Sequence, residues 1–150
     1  MYETWRVERW DTPFSDVESL VMVKLVDQAG LSIVLEAPLL VGRPRWSIEC
    51  GRAPAYRNIM EEYRIGLWQH LDETSQRCGR SFVVVNSPWV AEFHRSEPLL
   101  EFYAGAVRHF VVSTEDDVVE VLSASPPAVV ALGPTDPDEP PAGKSILVCP

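Results

Sequence analysis

The sequence predicts an α+β domain: an N-terminal antiparallel β-meander carrying a long amphipathic helix, then a strand-helix-strand-helix half feeding the same sheet. Three observations predict it. Apolar and β-branched residues alternate between turn signals through the first fifty residues. The apolar period lengthens to about 3.6 over residues 55–77. Two short apolar runs farther on, residues 82–85 and 107–112, are each followed by helix-start signals.

The elements follow in order. Residues 4–10 alternate Trp5, Val7 and a bulged Trp10 against Arg6, Glu8 and Arg9. Residues 20–26 and 31–35 flank Asp27-Gln28-Ala29-Gly30, where Gly30 can take the positive φ that closes a short hairpin. Residues 45–50 place Trp46, Ile48 and Cys50 on one face of a fourth strand. Over residues 55–77, Ile59, Tyr63, Leu67 and Leu71 recur at helical spacing, with Met60 and Trp68 widening the stripe and Gly79 as the stop. Residues 82–85 read as a central strand buried on both faces. Ser87-Pro88 supplies an N-cap with proline at the first helical position, and Ser96-Glu97-Pro98 restarts that helix toward Gly105. After strand 107–112, expected to lie parallel to 82–85 through a right-handed crossover, Thr114-Glu115-Asp116-Asp117 has the form of a capping box, with Val118, Val121 and Leu122 as a narrow apolar face. Pro126-Pro127 ends that helix, and residues 128–132 make a last strand.

The single domain is accordingly expected over residues 1–132. From 133 to 150, prolines at 134, 137, 140, 141 and 150 alternate with Asp136, Asp138 and Glu139, a composition too poor in apolar surface to offset ordering entropy, so a flexible tail is expected.

Composition narrows the function classes. A chain of 150 residues with 46% apolar content buries roughly 70% of its unfolded surface, enough for a core without metal or disulfide support. The net charge of −9 repels nucleic-acid backbones and anionic membranes and favours a basic partner. Subtracting the tail's net −2 (three acids, one lysine) leaves −7 on the body. Three cysteines at 50, 78 and 149 fit neither a disulfide framework nor a zinc site, which places the chain in a reducing cytoplasm. No apolar run is long enough to span a membrane.

No motif spells out a reaction. Glycine-rich phosphate loops, nucleophile elbows and C-x-x-C are absent, so no cofactor is expected. The pairs His70/Glu73 and His94/Glu97 have helical spacing but the wrong order and company for a metal pair, and no metal site is assigned. His109, near Glu115 and Asp116, is the candidate for general acid-base work. Arg43, Arg45, Arg52 and Arg57 form a basic stretch suited to an anionic group, or to internal pairing with the abundant acids.

The leading expectation is a non-catalytic acidic binding module, such as a small inhibitor, an immunity-type protein or an assembly subunit, acting on a basic protein partner. Asp72, Glu73, Glu115, Asp116, Asp117 and Glu120 would form the recognition face, with Trp10 and Trp89 as aromatic anchors. The alternative is a small hydrolase-like enzyme using His109 with Glu115 or Asp116, with or without a divalent ion. A homo-oligomer kept soluble by its charge is a third expectation.

Overall fold

The computed structural model describes residues 4–99 and 106–142. Two antiparallel sheets dominate it. β1 (Arg6–Arg9), β6 (Ser81–Val85), β7 (Arg108–Ser113), β8 (Asp117–Ser123) and β5 (Ala55–Met60) form the first, in the order β1-β6-β7-β8-β5. β2 (Val21–Asp27), β3 (Leu31–Glu36), β4 (Pro44–Gly51) and β9 (Ala128–Pro134) form the second, in chain order. Two nine-residue helices, α1 (Ile65–Glu73) and α2 (Pro88–Ser96), complete the described residues together with a 3-10 turn at Glu61–Tyr63.

This corrects the α+β expectation at three places. First, the long helix over 55–77 is a strand, a 3-10 turn and a short helix. Residues 55–60 alternate between half-buried and exposed and pair with β8 from Ala55↔Leu122 to Met60↔Asp117. Ile59 and Leu67 therefore belong to different elements, and of the supposed stripe only Leu67 and Leu71 are buried, while Tyr63 stands 72% exposed. A period-two strand running into a period-3.6 helix mimics one longer helix.

Second, the capping-box segment starts no helix. It is the turn of the β7–β8 hairpin: Thr114 N–H bonds Asp117 O at 2.8 Å, and Asp117 N–H bonds Thr114 Oγ1 at 3.0 Å. Every residue of β8 is buried, and its Val-Val-Glu-Val-Leu run is a strand covered on both faces. Third, β6 and β7 are neighbours but antiparallel, from Ser81↔Val112 to Val84↔His109, so no crossover joins them in parallel.

Beyond those three places, the second half does not feed the meander's sheet as expected: β6, β7 and β8 lie in the five-stranded sheet, and of that half only β9 joins β2, β3 and β4. β2, β3 and β4 form the meander, but β1 leaves it to pair with β6 in the other sheet. Ser87 caps α2 by accepting Val90 N–H at 3.2 Å, with Pro88 at the first helical position. The expected continuation toward Gly105 falls mostly on residues 100–105, outside those described.

The five-stranded sheet is the middle layer. On one face Val112, Val119 and Val121 pack with Phe14, Leu20, Ile33, Leu35, Trp46 and Ile48 between the two sheets. On the other, Phe82, Val84, Val111 and Val118 pack under Leu67 and Leu71 of α1. Since side chains alternate along a strand, His109 and Glu120 share this helix-facing side with Val111 and Val118.

β9 runs two residues past 132, and the segment after it is anchored. Thr135 Oγ1 lies 2.6 Å from Arg43 O and 3.0 Å from Glu36 Oε1, its one hydrogen shared between the two acceptors. Arg43 reaches Asp136 O and Glu139 O, and Arg45 pairs with Glu139 at 2.8 Å. Residues 143–150 lie outside the described ones.

Candidate functional site

The helix-facing side of the middle sheet carries a polar cluster centred on Glu120, which is fully buried. Arg57 stands directly opposite it on β5 and donates from Nε and NH2 at 2.9 and 3.0 Å. Arg64, from the turn before α1, adds a third bond at 3.1 Å. The fourth comes from His109 Nε2 at 2.9 Å; His109 lies diagonal to Glu120 across the β7–β8 ladder. Burial alone would raise the Glu120 pKa. Hydrogen bonds from His109 and Arg57, with the charges of Arg57 and Arg64, overcome this and hold it at about 2.

Ser87 completes the line. Its Oγ accepts Val90 N–H and lies 2.7 Å from His109 Nδ1; because ionised Glu120 can only accept, Nε2 is the donor of the neutral ring and the Ser87 hydroxyl donates to Nδ1. The imidazole is neutral in this arrangement. Burial pushes its pKa below 6.5 and outweighs the pull of Glu120, and the charges of Arg57 and Arg64 push the same way. Trp89 meets the ring edge-on at 5.1 Å and takes the Arg57 guanidinium on its face at 4.1 Å.

Two cavities border this cluster. One of about 520 Å³ is lined by Asn86, Ser87, Val90, Arg108 and His109. The second, about 200 Å³, lies among Trp5, Arg57, Arg64, Trp89 and His109.

The expected site residues scatter. Glu115 and Asp116 are exposed at the β7–β8 turn, where Glu115 pairs with Arg80 at 3.2 Å; the ring nitrogens of His109 bond Ser87 and Glu120 instead. Asp117 is buried beside them. Asp72 and Glu73 are exposed at the end of α1. Trp10 packs against Phe110 at 5.3 Å, and Trp89 belongs to the Glu120 cluster. The four arginines separate as well. Arg43 and Arg45 flank the fully buried Glu36, Arg52 is exposed in the turn before β5, and Arg57 holds Glu120. His70 stacks on Trp5 at 3.7 Å and contacts its carbonyl at 2.9 Å. Burial pushes the Cys50 thiol up to about 12 and raises that of Cys78, so neither is an activated nucleophile. Ser87 and Arg64 were not expected at the site: the first reads as a helix cap and the second as the outward face of a helix.

A separate surface brings acids and apolar side chains together. Glu61 N–H bonds Asp116 O at 2.9 Å, tying the segment after β5 to the β7–β8 turn. The segment it joins carries Glu62 and the exposed Met60, Tyr63 and Ile65, the last three being 41, 72 and 60% accessible, and the turn carries Glu115.

Among the described residues, no three His, Cys, Asp or Glu side chains are grouped to hold a metal ion, and no helix is long and apolar enough to cross a membrane. No protein-family model matches the sequence, and comparison with curated proteins and with solved structures gives no match either.

Proposed function

We propose that this chain is a non-catalytic recognition module that docks a basic protein partner, on the face formed by residues 60–65 and the β7–β8 turn. One observation carries the reading: the Glu61–Asp116 backbone bond joins a segment bearing three large exposed apolar side chains to a turn, and the two together carry four acidic residues. Apolar anchors rimmed by charge are how interfaces combine affinity with steering. The arginines support it, since Arg9, Arg43, Arg45, Arg57, Arg64 and Arg80 are each engaged by an acid of the same chain. Glu61, Glu62 and Asp116 have no ion pair among the described residues. The free thiols of Cys50 and Cys78 accord with a cytoplasmic setting.

The test is capture of partners by the intact protein at low salt, beside a variant with Glu61, Glu62, Glu115 and Asp116 changed to Lys. The reading expects a basic protein to be retained by the first and lost by the second. Equal retention by both removes this face from the account.

A second reading, a small hydrolase, is favoured by the continuous Ser87–His109–Glu120 line beside the 520 Å³ cavity. Ser87 would attack and His109 would take its proton. Two guanidiniums on Glu120 weaken its support for an imidazolium, which ranks this reading second. Covalent labelling of Ser87 by a fluorophosphonate, abolished in His109→Ala, would reverse the order.

A further inference from the structure

The carboxylate of Glu120 is well supplied with donors, and the arginines that hold it have donors to spare. Three hydrogen bonds converge on its Oε1 and one reaches Oε2. Arg57 and Arg64 spend three N–H groups on it, fewer than a third of what two guanidiniums carry. Arg64 Nε is buried with no hydrogen-bond partner among the described residues. With His109 neutral, the cluster holds two positive charges against one negative, inside a protein of net charge −9. Arg57 and Arg64 keep some solvent access, so most of their spare donors are free to meet an anion, while the buried Arg64 Nε is costly to leave unpaired.

The 200 Å³ cavity is where that anion would sit. Arg57 and Arg64 both line it, with Trp5 and Trp89 as aromatic surfaces and Gly66 at its margin. The volume is below that of sites for drug-sized ligands. From this juxtaposition of two underused guanidiniums, an unpaired Arg64 Nε and an aromatic-walled cavity, we infer that the protein binds a small organic carboxylate, its charge on Arg57 and Arg64 and its apolar body against the parts of Trp5 and Trp89 not covered by His70 and Arg57. Arginine's planar fork suits a carboxylate. The inference does not rest on partner docking, although Arg64 belongs to the 60–65 segment that carries that face.

Benzoate is the probe, and benzamide is its neutral counterpart of nearly the same shape. Titrated into the full-length protein, benzoate is expected to shift the indole N–H signals of Trp5 and Trp89 saturably, with benzamide at least tenfold weaker. Arg57→Gln should weaken benzoate at least tenfold. Because that change also disturbs Glu120, Gly66→Asp is the second variant. A Cβ at Gly66 meets nothing within 4 Å, and an acid in the first turn of α1 is favourable to the helix, so this variant keeps the fold while placing a negative charge beside the cavity. It should abolish benzoate binding. Equal binding of benzoate and benzamide, no saturable shift at the two indoles, or unchanged binding in Gly66→Asp would each overturn the assignment.

Discussion

Arg57 and Glu120 face each other across the β5–β8 ladder, joined by two hydrogen bonds of 2.9 and 3.0 Å. The pair locks the edge strand β5 to its neighbour β8, and Arg64 ties the approach to α1 to the same carboxylate. Glu120→Leu should therefore destabilise the protein by about 3 kcal/mol, the low end for orphaning a buried charge, because both arginines retain some solvent access. Urea unfolding followed by circular dichroism measures it. A loss under about 0.5 kcal/mol, the scale of an ordinary surface substitution, would show that the pair does not hold β5 in place.

The same cluster sets a pH dependence. The Glu120 pKa is lowered in the folded state from 4.5 to about 2, so the stability it contributes is complete above about 4.5 and is lost as pH falls toward 2. For His109 the folded pKa also lies below the unfolded value of 6.5. Above 6.5 both states are neutral; as pH drops below it the unfolded state takes up protons first, and stability falls. Unfolding free energies between pH 7 and 5 should thus slope downward with acid in the wild type and be flatter in His109→Gln. An unchanged slope would mean that folding does not shift the His109 pKa, and a steeper one that the fold holds His109 protonated.

The segment after β9 is tied through Thr135, whose hydroxyl reaches both buried Glu36 and the Arg43 carbonyl. Thr135→Val keeps the shape and removes the donor, leaving a buried carboxylate oxygen short of one bond. A cost of about 1–3 kcal/mol is expected, with faster proteolysis after residue 135. Glu139→Ala, which breaks only a partly exposed ion pair with Arg45, should cost less than about 1 kcal/mol.

Much of the fold is legible in the sequence where one physical signal acts alone. The meander is read from period-two alternation, and the α2 start from Ser87 and Pro88. Legibility fails where signals overlap. Thr114 and the acids after it satisfy a helix-start pattern, yet Thr114 uses the same hydroxyl to close a hairpin turn. That choice hides Glu120. Residues 118–122 read as a helix put it on a solvated face, whereas read as a strand buried on both sides they make it a buried acid that requires cations. Arg57 and Arg64 are near in sequence to supply them, but reading one continuous helix over 55–77 conceals their convergence. His109 stands out from sequence because few residues titrate near neutrality; its partners, 22 and 11 positions away, are set by strand pairing that no local pattern encodes.

Gly79 has a role that the helix-stop reading does not capture. It lies just before β6, where Arg80 N–H bonds Ser15 O at 2.8 Å, and a methyl group on Gly79 would overlap that same carbonyl. Gly79→Ala should lower stability by roughly 1–3 kcal/mol through the backbone shift it forces, measurable as a lower midpoint of thermal unfolding. An unchanged midpoint would show that the 12–16 loop yields freely.

The docking face around Tyr63 is tested most directly by site-specific photocrosslinking in intact cells, with benzoylphenylalanine at position 63 and, as a control, at position 130 on the other sheet. An adduct with a basic protein is expected from position 63, absent from position 130 and abolished when Glu61, Glu62, Glu115 and Asp116 are changed to Lys. An adduct that survives this charge reversal, or one that forms only from position 130, would contradict that docking face.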